Sequence, residues 1–175
     1  LRSMANIGQL DIKYGDITKS NSIESYFESS DIIINLVGVL AENSKNKYEQ
    51  AHVIGPSNIG KLSKKYNIKR LIHISSIGAD IKSNINYQRT KGEGELALKE
   101  NFSDASIIRP SIVFGPGDGF FNVQAKLLKF SPVIPLFGGG KNKFQPVYIN
   151  DLVNGIIQIF ENDNHKGKNY EFGGP

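Results

Sequence analysis

The chain has 175 residues, of which 39% are hydrophobic, 22% charged and 10% aromatic, a composition typical of a globular domain rather than a disordered, fibrous or membrane-spanning chain. It contains no cysteine, which excludes disulfide scaffolds, cysteine-ligated zinc, iron–sulfur clusters and thiol catalysis. Its net charge is +4, but the lysines are spread along the chain and we expect no nucleic-acid partner. The densest basic cluster fits a solvated helix face better and comprises Lys61, Lys64, Lys65, Lys69 and Arg70.

No stretch of the sequence is apolar enough to predict a transmembrane segment. The longest apolar run, residues 32–41, has about half the length that a membrane-spanning helix needs, and Asn35 interrupts it. Residues 1–6 lack the charged, apolar and small-residue zones of a secretory signal. We therefore expect a cytoplasmic location.

Hydrophobic periodicity predicts strands that alternate with helices along the chain. We predict strands at 9–14, 32–37, 70–74, 105–113, 144–149 and 169–172. We predict helices at 20–28, 48–66, 87–101, 120–130 and 151–161, and a loop at Gly138, Gly139 and Gly140. The uninterrupted apolar character of 32–37 predicts a central strand buried on both faces. Pro56 should bend or restart the helix that contains it. The pattern indicates an α/β, doubly wound, mostly parallel sheet.

Tyr87 and Lys91 form the most informative pair of polar residues. Side chains four residues apart share one face of a helix, so the phenol and the ammonium should point the same way. A positive charge beside a phenol favours the phenolate form, and such a tyrosine can exchange a proton with a substrate hydroxyl or carbonyl. Ser75 and Ser76 end the preceding buried strand, where a serine can hydrogen-bond the same substrate oxygen.

Six motifs occur in an order that is typical of one family: Gly15-Asp16-Ile17, Asn35-Leu36-Val37-Gly38, His73-Ile74-Ser75-Ser76, Tyr87 with Lys91, Arg109-Pro110-Ser111-Ile112-Val113-Phe114-Gly115-Pro116, and Val147-Tyr148-Ile149-Asn150-Asp151. The chain resembles an extended or atypical short-chain dehydrogenase/reductase over nearly all of its length. Residues 77–80, 109–122 and 144–148 are most similar to the branch that holds a nucleotide-binding accessory subunit of respiratory complex I and its bacterial relatives. The resemblance implies a Rossmann-like domain, bound NADP(H) or NAD(H), and respiratory-complex subunits as possible partners.

The resemblance also implies a set of dinucleotide contacts. Asp16 would accept a hydrogen bond from the adenine amino group and Ile17 would pack on the ring; alternatively, Asp16 only caps the turn that follows a strand. The ribose and pyrophosphate would lie against Asn35, Leu36, Val37 and Gly38. Lys91 would also hold the nicotinamide ribose, and the nicotinamide would be flanked by Pro110, Ser111, Ile112 and Val113. Each of these positions also fits an ordinary core or turn residue.

In an active enzyme of this family, Tyr87 would be the general acid and base, Lys91 would favour its phenolate, and Ser76, rather than Ser75, would orient the substrate oxygen. No metal is implied. Two alternatives use the same residues: a sugar-nucleotide epimerase or dehydratase, and a non-catalytic subunit that holds the nucleotide as a structural element. The last of these predicts a peripheral position at the inner face of a respiratory membrane.

The sequence departs from the family pattern in two ways. His52 stands where the family often has an asparagine that helps a proton relay, and a histidine can also relay protons; His73, within a buried strand, is expected to be a satisfied core residue. The Gly-rich turn that cradles the pyrophosphate is also missing, and the Gly138 to Lys141 run is not a substitute. We therefore expect residues 1–175 to form a single incomplete dinucleotide-binding domain of a longer polypeptide. Residues 116–144 and the C-terminal end would contribute to the substrate side, and Arg2 would lie near a 2′-phosphate.

Overall fold

The computed structural model describes residues 6, 8–43, 47–130, 139, 141 and 143–175, without the side chain of residue 130. Helices and strands alternate through these ranges, as predicted. The helices are α1 (Ser20–Phe27), α2 (Gly55–Lys65), α3 (Asn86–Asn101), α4 (Phe121–Phe130) and α5 (Ile149–Glu161). The strands are β1 (Ile32–Asn35), β2 (Arg70–Ile74), β3 (Ser106–Pro110), β4 (Val113–Phe114), β5 (Val147–Tyr148) and β6 (Asn169–Phe172). A π-helical turn, Glu49–Ile54, leads into α2, and a short 3-10 turn, Asp163–His165, precedes β6.

The main sheet has the strand order β1-β2-β3-β6, and all of its neighbouring strands are parallel. Asn35 at the end of β1 lies opposite His73 of β2, and Pro110 at the end of β3 lies opposite Phe172 of β6. The carboxyl ends of these strands therefore meet at one edge, where parallel sheets place their ligands. A two-stranded parallel sheet, β4 with β5, follows β3 at the same end.

Two apolar clusters cover the two faces of the main sheet. On one face α1, α2 and α3 pack on the sheet through a cluster that includes Phe27, Leu62, Leu71 and Leu98. On the other face α5 packs on β2 and β3 through Ile72, Ile108, Leu152 and Ile159. Helices on both faces of a parallel sheet define a doubly wound α/β fold, which confirms the predicted fold class.

The prediction that residues 32–37 form a central strand buried on both faces is wrong. β1 ends at Asn35 and is an edge of the sheet among the described residues. Ile32 and Ile34 are 39% and 48% exposed, because the apolar cluster under α5, as far as the chain is described, takes its strand residues from β2 to β6 and none from β1. The strand predicted at 9–14 is also absent: no described segment pairs with these residues, and Leu10, Ile12 and Tyr14 are exposed.

Two predicted elements are divided in the structure at prolines. Pro56 lacks the N–H that would bond to the His52 carbonyl in a continuous α-helix, and the helix restarts at Gly55 after the π-helical turn, as predicted for Pro56. The strand predicted at 105–113 ends at Pro110, which has no N–H to extend the ladder, and resumes as β4 in the second sheet. The 144–149 strand shortens to Val147–Tyr148.

The basic cluster is not one solvated face. Lys61, Lys64 and Lys65 are exposed on α2, but Arg70 is buried in β2 and its Nη2 donates to Asp163 Oδ1 at 2.7 Å. Lys65 and Lys69 pair with Glu24 and Asp31. Carboxylates thus neutralise much of the cluster. None of the described helices is both long and apolar enough to cross a membrane. Arg2, Gly138 and Gly140 lie outside the described residues.

Candidate active site at the carboxyl edge of the sheet

The segment that follows β2 carries two buried hydroxyls. The Ser75 N–H donates to the Ile108 carbonyl at 2.7 Å and the Ile77 N–H to the Pro110 carbonyl at 3.0 Å, so this segment continues beside β3 past the end of the strand. The Oγ atoms of Ser75 and Ser76 are buried and have no hydrogen-bond partner within the described part of the chain. A buried hydroxyl without a partner costs about 1–3 kcal/mol, and such groups in native proteins commonly await a ligand or water.

Lys91 joins α3 to the end of β2. Its side chain is only 5% exposed, and its Nζ donates to the Ile74 carbonyl at 3.1 Å, directly before the two serines. Burial lowers the pKa of Lys91 from 10.5 to about 8, although the nearby Glu95 carboxylate favours the charged form. The ammonium is therefore still mostly protonated at neutral pH.

Tyr87 lies one turn before Lys91, in the first turn of α3, and is half-buried. Its ring packs edge-on against His52, with 5.4 Å between ring centroids, and against Tyr48 at 5.7 Å. Tyr48 in turn stacks on His52, with 5.1 Å between the ring centroids. The phenol is thus held by aromatic contacts with the π-helical turn and its flanking residue.

A glycine allows α3 to approach the π-helical turn this closely. A Cβ at Gly94 would lie 1.7 Å from the His52 carbonyl oxygen, the same oxygen that Pro56 leaves without its helical donor. Any side chain at position 94 would push α3 away. Gly94 therefore determines how near Tyr87 and Thr90 come to His52.

The turn at residues 36–39 lies over Lys91 and follows β1. Asn35 Nδ2 donates to His73 Nδ1 at 2.9 Å, and the Asn35 Oδ1 accepts from the Val37 N–H at 3.0 Å. A Cβ at Gly38 would lie 3.9 Å from both Lys91 Nζ and His52 Nε2, which places the Gly38 backbone directly beside the ammonium. His73 is 1% exposed and paired, as predicted for a satisfied core residue.

The predicted adenine contacts lie elsewhere, near the starts of α1 and α2. The Asp16 carboxylate accepts from the N–H and hydroxyl of Thr18 at 3.0 and 2.7 Å, and the Thr18 hydrogen bonds lower the pKa of Asp16. Ile17 packs against Gly55, and its carbonyl accepts from Asn58 Nδ2. This arrangement matches the alternative in which Asp16 caps a turn, and contact with an adenine stays a prediction.

Residues 110–113 run from the last residue of β3 to the first residue of β4 and lie beside the segment that follows β2. The Pro110 carbonyl bonds to Ile77, the Ser111 N–H donates to the Phe172 carbonyl at 2.8 Å, and the Ile112 carbonyl accepts from Val147. Val113 pairs with Val147 in the second sheet. The structure thus gathers most of the predicted set at one edge: Tyr87, Lys91, Ser75, Ser76, Asn35, Leu36, Val37, Gly38, Pro110, Ser111, Ile112 and Val113.

Sequence reasoning missed the second layer of this site. Thr90 Oγ1 lies within hydrogen-bond distance of His52 Nδ1, at 3.1 Å. The buried Glu95 carboxylate forms a bidentate ion pair with the Arg109 guanidinium, whose Nη2 lies 2.6 Å from Oε2. Thr90 lies three residues after Tyr87 and Glu95 four residues after Lys91 on α3, so helical spacing from the predicted pair was the available signal. No group of His, Asp and Glu side chains in the described ranges could hold a metal ion.

Comparisons with known proteins identify a matching family and similar sequences. The family described as "NAD dependent epimerase/dehydratase family" matches residues 2–173. The chain is 36% identical to NADH dehydrogenase [ubiquinone] 1 alpha subcomplex subunit 9, mitochondrial, of Rattus norvegicus, over 100% of this chain and 46% of that protein. It is 34% identical to the protein of the same name from Dictyostelium discoideum, over 99% and 48%. The chain therefore spans about half the length of these curated relatives.

Solved structures show the same fold at lower identity. DesIV, a dTDP-glucose 4,6-dehydratase from Streptomyces venezuelae with NAD and TYD bound, superposes with a TM-score of 0.78 at 19% identity, over 99% of this chain and 61% of that one. A dTDP-4-dehydrorhamnose reductase from Bacillus anthracis in complex with NADP gives a TM-score of 0.71 at 18% identity, over 98% and 68%. At these identities the likeness supports the shared fold alone.

Proposed function

Because the chain belongs to the NAD dependent epimerase/dehydratase family, we propose that it binds NAD(H) or NADP(H) across the carboxyl edge of its sheet and acts as an oxidoreductase. One observation carries the proposal. The Lys91 ammonium converges on the end of β2 with the Ser75 and Ser76 hydroxyls, which have no hydrogen-bond partner among the described residues. This is the edge where an α/β sheet binds its ligand.

The residues at this edge fit a dinucleotide. Ser75 and Ser76 offer buried hydroxyls that need partners, and Gly38 leaves room that a Cβ would fill beside Lys91. We propose that the 36–39 turn contacts the ribose and pyrophosphate, that Lys91 binds the nicotinamide ribose, and that residues 110–113 flank the nicotinamide. The solved structures that share this fold include one with NAD bound and one in complex with NADP, and either cofactor fits this proposal.

Each polar residue has a separate role in the proposed reaction. A bound nicotinamide supplies or accepts the hydride. Tyr87 exchanges a proton with the substrate oxygen, and Ser76 hydrogen-bonds that oxygen so that it faces the phenol. Lys91, one helical turn after Tyr87, supplies a positive charge beside the end of β2.

The test is a fluorescence titration of the full-length protein with NADH and with NADPH. We expect saturable binding of at least one of them, and no binding of either would contradict the proposal. The Tyr87→Phe variant should keep the dissociation constant of the parent protein and lose turnover, because only the phenolic oxygen is removed. Lys64→Met, on the exposed face of α2, serves as the matched surface control.

A second candidate is a non-catalytic nucleotide-binding subunit of a respiratory assembly. It is favoured by the names of the relatives, which are subunits of mitochondrial NADH dehydrogenase. In that case Tyr87→Phe changes neither nucleotide binding nor assembly, and the protein co-purifies with respiratory-complex subunits at the inner face of the membrane. Turnover of a sugar nucleotide, by contrast, would favour the epimerase or dehydratase alternative.

A further inference from the structure

His52 is a buried polar side chain beside the proposed site, and the proposed reaction assigns it no role. It is 2% exposed and lies in the π-helical turn that precedes α2. Local π-helical geometry is uncommon and recurs at functional sites. We propose that His52 is a positioning residue whose Nε2 holds the 36–39 turn in the conformation that receives the dinucleotide; this inference rests on the proposed function.

Both ring nitrogens of His52 are engaged. Nδ1 lies 3.1 Å from Thr90 Oγ1, and Nε2 lies 3.2 Å from the Val39 nitrogen and 3.1 Å from the Val39 oxygen. The Thr90 hydroxyl can donate to the Asn86 carbonyl at 2.9 Å, which leaves its lone pair to accept from Nδ1–H. With the proton on Nδ1, Nε2 accepts from the Val39 N–H. In the other tautomer Nε2 donates to the Val39 carbonyl and Nδ1 accepts from the Thr90 hydroxyl, so Nε2 bonds Val39 in both.

The imidazole cannot turn or leave this position easily. Tyr48 stacks on its face at an interplanar angle of 17°, and the Tyr87 ring meets it at 89°. Burial, with the positive charge of Lys91 as the second cause, lowers the pKa of His52 to about 4. The ring is therefore neutral at physiological pH and retains one donor and one acceptor nitrogen.

The 36–39 turn is consequently fixed on both sides of Gly38. Asn35, itself bonded to His73, holds the Val37 N–H, and His52 holds Val39. Gly38, between these two anchors, lies beside Lys91 Nζ. The Thr90 hydroxyl bonds the backbone carbonyls of its own helix, and Val39 meets His52 through its backbone atoms. The hydrogen bonds of His52 therefore do not continue to the proposed reacting groups. The geometry therefore favours a positioning role over the proton relay that the sequence suggested.

Three substitutions separate the two ring nitrogens. Glutamine places its amide near the position of Nε2, asparagine near that of Nδ1, and phenylalanine keeps the ring packing without either nitrogen. In titrations of the full-length protein with NADH and NADPH, we expect His52→Gln to retain the parent affinity within about threefold, and His52→Asn and His52→Phe to weaken it about tenfold, the value of one lost hydrogen bond. His165→Phe, at the opposite end of the sheet, should leave the affinity unchanged.

A ligand-free measurement keeps the test independent of the proposed function. We expect the Val39 amide to exchange its hydrogen slowly in the parent protein and in His52→Gln, and faster in His52→Phe. Parent affinity in His52→Phe, or a Val39 exchange rate that this substitution leaves unchanged, would overturn the inference. If the parent protein binds neither nucleotide, the proposed function fails, and the exchange rate of Val39 alone still decides whether His52 holds the turn.

Discussion

Lys91 Nζ donates to the carbonyl oxygen of Ile74 at 3.1 Å, and this single hydrogen bond ties α3 to the carboxyl end of β2. A cation is thereby kept beside two unpartnered serine hydroxyls, the Gly38 backbone and the helix that carries Tyr87. Burying a charge opposes folding unless pairing and hydrogen bonds offset the lost hydration, and the lowered pKa of Lys91 shows that desolvation prevails here. Stability and proposed activity should therefore respond in opposite directions when Lys91 is changed.

Lys91→Met should stabilise the protein while impairing its proposed function. The fall of the Lys91 pKa from 10.5 to about 8 corresponds to about 3 kcal/mol of unfavourable charge burial. The lost hydrogen bond to Ile74 offsets about 1 kcal/mol. Urea denaturation at pH 7 should show a gain of about 1–2 kcal/mol in the free energy of unfolding, together with weaker nucleotide binding. A lower free energy of unfolding for Lys91→Met would contradict the inference that the buried charge destabilises the protein. Lys64→Met, on the exposed face of α2, is the control.

His52 and His73 should make the protein less stable as the pH falls. Burial lowers the pKa of His52 to about 4 and that of His73 to about 3, and Lys91 adds to both shifts. Between pH 6.5 and these values the unfolded chain binds protons that the folded chain does not, so the free energy of unfolding decreases on acidification. We expect His52→Gln to remove about 3 kcal/mol of the decrease between pH 7 and pH 4. Parallel stability curves for parent and variant would refute this.

Gly38→Ala should weaken nucleotide binding without affecting folding. The new methyl group would lie 3.9 Å from its nearest neighbours, Lys91 Nζ and His52 Nε2, which is ordinary contact, so the free energy of unfolding should change by less than about 0.5 kcal/mol. The same methyl group would occupy the space through which a ligand approaches the backbone. We expect the dissociation constant for NADH or NADPH to rise about tenfold. Unchanged affinity would show that the ligand does not approach Gly38.

Gly94→Ala provides the contrasting case. A Cβ there would lie 1.7 Å from the His52 carbonyl oxygen, so α3 has to move away from the π-helical turn. Overpacking of this kind costs about 1–3 kcal/mol, and thermal unfolding should show a clearly lower Tm. Nucleotide binding should weaken as well, because Tyr87 and Thr90 move with α3. A Tm equal to that of Gly38→Ala would contradict this prediction, because it would mean that α3 moves away from the π-helical turn without loss of stability.

The candidate site was largely predictable because its signals are local. The four-residue spacing of Tyr87 and Lys91 places both on one helix face whatever the rest of the fold does, and apolar strands that end in polar residues mark the edge where parallel sheets bind ligands. The errors concern β1 and residues 9–14. An apolar run such as 32–37 indicates a strand, but it does not reveal which neighbours cover that strand, and Ile32 and Ile34 are exposed.

The amino-acid pattern predicts the alternation of strands and helices, the doubly wound class and the residues gathered at the carboxyl edge. It does not predict that Gly94 lets α3 lie against the carbonyl of His52, that His52 holds Val39 while Asn35 holds Val37, or that Glu95 binds Arg109. The difference lies in how far apart the contacting residues are along the chain. Periodicity reports contacts within one turn of a helix or one step of a strand, whereas these contacts join residues that only packing brings together.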